Sequence, residues 1–396
     1  MKSSDTVSLD YWDWFGGAGG AYMTKMVDAF NASQKNVAVK ETKYTLPDYW
    51  TKLSSSTSVN KGPGVAALKV SQLNEFVGHG LLTPIDTAQL KKHGLTANDF
   101  PKTSWDACHV KGALYAIPMD TEGWVFYYNT KFCQSAGLLA DNGQLKEPVG
   151  EQAFLSALKA GQSAGAQYGI SLDYTSAWNL WYIFYSQLGG KVVSSDGKHV
   201  LLDDHKGLQA AELVQEIGAG RNLAPLSTTG ADIGTLFAEE KAAFMSSWAA
   251  AYVDFVKTRH TPFDVTYVPK IFNHQVTIGD TSVFVIPRHR NQSKGEVDAA
   301  LAFFAGALKH SIYWAQGAHI PDYLPVRQTK AFKALLPQAH FSSVANYVVY
   351  LPRVSYLTEL NTNASAPWSS VFTGHTAPKA GYQQFRGQLE QLTKKA

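Results

Sequence analysis

The sequence predicts an α/β protein built as more than one lobe. Three observations carry that expectation. The chain has 396 residues, whereas one core ordinarily serves ~150. Its opening reads strand, helix, strand, and short β-prone segments then alternate with helical stretches through most of its length.

The first strand is Val7-Ser8-Leu9-Asp10-Tyr11-Trp12, followed by a glycine-rich turn at Gly16-Gly17-Ala18-Gly19-Gly20. Met23, Met26, Val27 and Phe30 then recur at helical spacing, and Val37-Ala38-Val39 is the next strand. This is the start of a βαβ unit, whose connection is right-handed and whose ligand crevice lies beyond the carboxyl end of the strand. Trp12, Trp14 and Phe15 fall at that end. Further strands are expected at Val65–Val70, Leu114–Pro118, Trp124–Asn129, Val265–Pro269 and Ser282–Pro287. A helical middle begins near Gln152, and the last sixty residues read as helices broken at Pro352, Pro367 and Pro378.

Composition narrows the function classes. Apolar residues make up 45% and charged residues 17%, as in a folded soluble protein. A net charge of +3 provides no field that would mark nucleic acid or an anionic membrane as the natural partner. The longest apolar run, Ala299–Leu308, falls short of the ~20 residues a bilayer span needs and suits a core helix. The polar start, Met1-Lys2-Ser3-Ser4-Asp5-Thr6, reads as a mature chain whose export segment has been replaced by a start methionine. Cys108 and Cys133, the two cysteines, are compatible with a disulfide in an oxidising compartment or with two buried thiols.

Most catalytic signatures are absent. A dinucleotide fingerprint counted from Gly17 would need glycine where Tyr22 stands, and no P-loop lysine-hydroxyl pair follows. Histidines and cysteines lack metal spacing, and there is no Gly-x-Ser-x-Gly elbow. Neither a cofactor nor a metal is expected. Asp10, Asp13, Asp120, Glu122 and Asp173 lie among aromatic residues and are compatible with the acid and base of a glycosidase, which stand ~5 to 9 Å apart. Carboxylates also bind sugar hydroxyls without chemistry, so a secreted carbohydrate-active enzyme remains an alternative.

The distinctive feature is aromatic: ten Trp, nineteen Tyr and twenty Phe, 12% of the chain. Trp12 with Trp14, Trp178 with Trp181, Trp248 and Trp314 fall where turns between strands and helices are expected. An indole face packs on the apolar face of a pyranose while neighbouring polar groups bond its hydroxyls. Trp50, Trp105 and Trp124 read mainly as packing residues.

An ordered set of motifs resembles the extracellular solute-binding proteins of ABC importers, the large family that includes maltose-binding protein. The opening Leu9-Asp10-Tyr11-Trp12-Asp13-Trp14 with its helix ending Asp28-Ala29-Phe30-Asn31 resembles that family's first strand and helix. Gly112-Ala-Leu-Tyr115-Ala-Ile-Pro118, with Tyr127-Tyr128-Asn129-Thr-Lys131 and Ala136-Gly137-Leu138, resembles the stretch where the chain crosses between lobes. Trp178-Asn-Leu-Trp181, Phe237 with Lys241-Ala-Ala-Phe244-Met245, Ser247-Trp248, and Tyr323-Leu-Pro325-Val-Arg327 resemble later family segments. One departure is Pro148-Val-Gly-Glu-Gln, where the family has Pro-Thr-Thr-Trp.

The resemblance implies a two-lobed periplasmic-binding-protein-like fold, each lobe a mostly parallel sheet flanked by helices, with the ligand clasped between lobes. One lobe would comprise 1–118 plus 278–330, the other 121–275 plus 331–396, with crossings near 118–121, 275–280 and 326–332. It implies a non-catalytic, monomeric sugar-binding component of an importer. Its partners would be an oligosaccharide and the permease subunits. It would be extracellular or periplasmic: a cell-surface lipoprotein of a Gram-positive bacterium, or a periplasmic protein of a Gram-negative one. Carried over residue by residue, the ligand site would use Trp14, Gly16, Gly17, Asp120, Trp178, Trp181, Trp248, Arg353 and Tyr356. Trp178 and Trp248 would stack on sugar, Asp120 would accept from hydroxyls and Arg353 would donate in a fixed fork. Within the fold, a polyol phosphodiester or ferric ion is the other ligand class, the latter suggested by adjacent Tyr127-Tyr128.

Overall fold

The computed structural model describes residues 6–45, 48–230, 232–251, 261–335 and 342–395. Its strands are β1 Val7–Asp13, β2 Val37–Lys43, β3 Val65–Lys69, β4 His109–Val110, β5 Ala113–Leu114 and β6 Ala116–Pro118. Next come β7 Glu122–Asn129, β8 Tyr168–Ser171, β9 Ala242–Trp248, β10 Phe263–Tyr267, β11 Thr277–Asp280, β12 Ser282–Val285 and β13 Val348–Tyr350. The chain separates into two compact units. Unit 1 is Met1–Glu122 with Asp280–Ala339, and unit 2 is Gly123–Gly279 with His340–Ala396.

Unit 1 is organised on the sheet β2-β1-β3-β12-β6. The opening βαβ unit pairs β1 in parallel with both β2 and β3, while β12 runs antiparallel to β3 and β6. The sheet is therefore mixed, with its parallel part at the opening of the chain. β3 is buried from Val65 to Leu68 and reads there as a continuous apolar run, as a strand covered on both faces should. The helix Lys294–Lys309 carries the apolar run Ala299–Leu308 into this core and is capped by Ser293, whose hydroxyl accepts from the Glu296 amide. The glycines near the start form less of a turn than expected, because the helix begins at Gly17 and runs to Ser33. Gly20 is required in its first turn: a Cβ there would stand 2.3 Å from the Phe15 carbonyl oxygen.

Unit 2 is organised on β13-β11-β7-β9-β8, with β10 also pairing antiparallel to β7. β7 and β9 are antiparallel, and β8 and β9 parallel. Its helices include Glu151–Ser163, Ala177–Gln187, Asp204–Gln215, Leu357–Phe372 and Pro378–Thr393. Two expectations for the last sixty residues are corrected here. Val348–Tyr350 forms a strand, because its β-branched residues find a parallel partner in β11. Pro367 lies inside the helix Leu357–Phe372 and does not break it. Burial of Leu360, Ala364, Trp368 and Val371 on one face outweighs the backbone bond that proline forfeits. Pro378, at the first position of its helix, starts that helix as expected.

Cys108 in unit 1 and Cys133 in unit 2 are buried thiols, and burial pushes the Cys133 thiol up to about 12. Among the described residues no helix is long and apolar enough to cross a membrane.

Candidate functional site

In unit 1 the chemistry gathers where β1, β3 and β6 end and β12 begins. Asp120, just past β6, is completely buried. Its Oδ1 accepts from the Ser282 amide at 2.8 Å, and its Oδ2 from the Trp314 indole Nε1 at 2.7 Å. His319 lies 14° from parallel on Trp314 with 3.7 Å between ring centroids. From there its Nδ1 approaches Asp120 Oδ2 and Glu122 Oε1, each at 2.8 Å. The other Glu122 oxygen accepts from Lys69 Nζ at 2.8 Å, and Lys69 also donates to the Ser282 hydroxyl at 3.0 Å.

These charges hold one another. Burial pulls the His319 imidazole down, but the Asp120 and Glu122 carboxylates close to Nδ1 outweigh it and raise the pKa to about 9. For Glu122, burial pushes upward, yet the Lys69 ammonium and the His319 hydrogen bond hold it well below the usual carboxylate range. Lys69 is drawn down by burial and raised, on balance, by Glu122, Asp120 and Asp280. Asp280 is itself raised by burial, with its carboxylate bonded by the Ser71 hydroxyl and amide.

Asp120, Glu122 and His319 bring one ligand-type atom each within 4.8 Å of one another. They fit a cation poorly. Lys69 and protonated His319 already supply the countercharge, and a metal would have to displace the Nδ1 proton beside a bound ammonium. Both Asp120 oxygens accept hydrogen bonds inside the unit, and the side chain is completely buried. Glu122, 13% exposed at its side chain, is the carboxylate of the cluster that reaches solvent. The sequence reading carried over Asp120 as the acceptor and did not place Glu122 among the ligand-site residues.

The other unit 1 candidates lie at the carboxyl end of β1. Trp14 is half-buried, packed on Phe15 and Trp50 with 4.6 Å between ring centroids in each pair, and Lys69 Nζ stands 5.8 Å from its ring centre. Gly16 caps the first helix in extended conformation, and Gly17 is that helix's first residue. Trp314 is fully buried as the base of the His319 stack, and Trp105 is buried in packing, as expected of it.

Unit 2 separates its aromatic candidates into core and surface. Trp181 is fully buried, stacked on Trp368 at 4.4 Å and on Tyr185 at 4.6 Å. Its Nε1 donates to the Gly207 carbonyl at 2.9 Å. Trp178 extends the stack at 5.4 Å, is 4% exposed and donates to Asn361 Oδ1 at 3.2 Å. Trp248, at the end of β9, is half-buried and meets the buried Trp124 edge-on at 6.2 Å. The aromatic helix start therefore builds a core platform from Trp181, and Trp248 is the more accessible ring. Arg353 is half-buried after β13. Tyr356 is half-buried and donates to the Gly197 carbonyl, burial pushing its phenol up to about 12. Tyr127 and Tyr128 are buried, with the Tyr127 hydroxyl donating to the Trp248 and Ala249 carbonyls and the Tyr128 hydroxyl to Asp264. That pair is not presented to an ion.

Comparison with known proteins follows the same lines. Residues 25–329 match the model of a family described as bacterial extracellular solute-binding protein. No curated protein sequence matches the chain. Among solved structures, the GacH receptor of Streptomyces glaucescens, determined unliganded and with acarbose, superposes with TM-score 0.85 at 18% identity, over 98% of this chain and 99% of that one. An ABC substrate-binding protein of Listeria monocytogenes, in complex with cycloalternan, gives 0.82 at 17% identity, over 98% and 99%. The maltose-maltodextrin-binding protein of Alicyclobacillus acidocaldarius gives 0.78 at 18% identity, over 97% and 100%.

Proposed function

The chain belongs to the bacterial extracellular solute-binding proteins, and from that premise we propose that it captures an oligosaccharide and delivers it to an ABC importer. The observation that carries the sugar assignment lies in unit 1, where the partly exposed indole of Trp14 and the Glu122 carboxylate share the neighbour Lys69, while Trp248 is a partly exposed ring of unit 2 taken by itself. Indole faces take the C–H face of a pyranose, and an ionised carboxylate held by Lys69 and His319 accepts from its hydroxyls. The relatives of similar fold whose structures name acarbose or cycloalternan support the same ligand class.

In this reading Asp120 is a positioning residue that orients His319 and Trp314, and Trp181 holds Trp178. Gly16, Gly17, Arg353 and Tyr356 line the ligand's surroundings. The lobes proposed are those of the sequence reading, hinged at 118–121, 275–280 and 326–332. The protein works outside the cytoplasm as a monomer, with the permease subunits as its second partner.

Binding without turnover is part of the proposal. The Asp120 and Glu122 carboxylates converge on one histidine nitrogen and Asp120 is completely buried, so this pair is not placed to flank a glycosidic bond. Titration calorimetry against maltodextrins, cyclic glucans and acarbose, with chromatography of the mixtures afterwards, tests both parts. Saturable heat with intact sugar supports the reading, and cleavage products or the absence of any saturable sugar overturns it. Small-angle scattering with and without ligand tests hinge closure: unchanged dimensions at saturation remove that part.

A further inference from the structure

A second feature of unit 1 is independent of the aromatic site. A hollow beside the end of the helix Asp48–Ser58 is lined by Thr57, Asn60, His79, Arg288, His289 and Arg290, and none of its lining residues is acidic. Two backbone contacts fix its walls. The Arg288 amide donates to the Leu81 carbonyl at 2.8 Å, and the Arg290 amide to Asn60 Oδ1 at 2.9 Å. Asn60 holds a left-handed backbone, φ 59°, which carries the chain around the hollow's rim. His289 Nε2 is 3.0 Å from the Pro63 carbonyl oxygen and so bears its proton there. The two arginine side chains are exposed, and no ion pair joins either of them to a carboxylate among the described residues.

Thr57 supplies an observation of a different kind. It is 4% exposed, yet its hydroxyl has no hydrogen-bond partner among the described residues. It lies against Gly62, where a Cβ would come within 2.6 Å of the oxygen. Buried hydroxyls are nearly always bonded, so an orphan in the wall of a cationic hollow points to a missing acceptor. Two guanidinium forks, the His79 imidazole, the Asn60 amide and the Thr57 hydroxyl offer donors from several sides, which suits a multiply charged tetrahedral oxyanion. The adjoining hollow shares His289 and Arg290 and contains Asp10 and Glu296. Glu296 is committed to the Ser293 amide at 2.7 Å, so its charge caps the helix it begins.

We propose that this hollow is a phosphate site, taking inorganic phosphate or the phosphate monoester of a larger molecule, with Arg288 and Arg290 as its principal ligands. The test is titration of the full chain with inorganic phosphate, following backbone amide shifts. Saturable shifts centred on residues 57–62, 79–81 and 288–290 are expected, with affinity falling at least ten-fold in Arg288→Gln/Arg290→Gln and unchanged in Lys379→Gln. Vesicles of phosphatidylglycerol and of phosphatidic acid, each with and without excess phosphate, separate the two sources. Competition by phosphate places the lipid headgroup in this site and extends the proposal to that source. Vesicle binding that phosphate does not displace leaves free phosphate as the ligand if the shifts are present, and overturns the proposal if they are absent. Shifts scattered over the surface, equal response to chloride, or no loss in the double variant would show adventitious charge screening and overturn it.

Discussion

His319 lies flat on Trp314 while its Nδ1 sits 2.8 Å from an oxygen of both Asp120 and Glu122. One nitrogen thus serves two carboxylates, and this holds the imidazole protonated at neutral pH. The raised value, about 9 against 6.5 when unfolded, means the folded state binds the extra proton more tightly. This stabilisation is fully present below pH 6.5 and is lost as pH rises through 9. Proton NMR of His319 should show titration near 9, and the melting temperature should fall as pH rises across that window. His319→Gln should flatten the pH dependence there. A His319 resonance titrating near 6.5 would contradict the ion-pair account.

The Asp13 and Glu41 carboxyl groups form the opposite kind of pair. Asp13 is completely buried with Oδ1 accepting from the Phe15 amide at 2.9 Å, and burial, then the hydrogen bond to Glu41, raises it to about 8. Two carboxyls can be hydrogen-bonded only through a shared proton. Because the folded Asp13 value is raised, ionising Asp13 costs stability progressively between pH 4 and 8. Asp13→Asn keeps the acceptor for Phe15 and supplies a donor toward Glu41. It should raise the melting temperature at pH 8 and leave it little changed at pH 4, read by calorimetry at both values.

Gly20 gives a steric prediction. Its missing Cβ would lie 2.3 Å from a backbone oxygen, which no side-chain rotation relieves. Gly20→Ala should cost ~1 to 3 kcal/mol by forcing apart the first helix turn and Phe15, measured by chemical denaturation. Gly16→Ala, where no atom lies within 4 Å of the added carbon, is the matched control and should cost less.

What could be read from the sequence follows from where the information resides. β1, the first helix and β2 were legible because period-2 and period-3.6 patterns are local. β13 was not: Val348–Tyr350 is a strand through its pairing with β11, some seventy residues earlier. Pro367 misled for a related reason, since the helix around it is held by packing on distant residues. At the site, side-chain type identified the aromatic and acidic candidates but not their exposure. Asp120 and Glu122 look alike in sequence. Only the arrival of Trp314 and His319 from the far end of the chain shows that one is enclosed and the other presented.

The same distinction separates the tryptophans and can be measured. Trp181 is fully enclosed by Trp368, Tyr185 and Phe385, so truncation leaves a cavity in the core of unit 2. Trp181→Ala should cost ~3 to 5 kcal/mol of stability. Trp248 at the end of β9 and Trp14 at the end of β1 are only partly buried. Alanine at either should cost little stability, but by removing a stacking surface worth ~1 to 3 kcal/mol it should weaken sugar affinity by about five- to a hundred-fold. Denaturation and calorimetry on the three variants give the two readouts independently. If Trp248→Ala and Trp14→Ala bind every sugar as the parent does, the accessible indoles are not the stacking platforms.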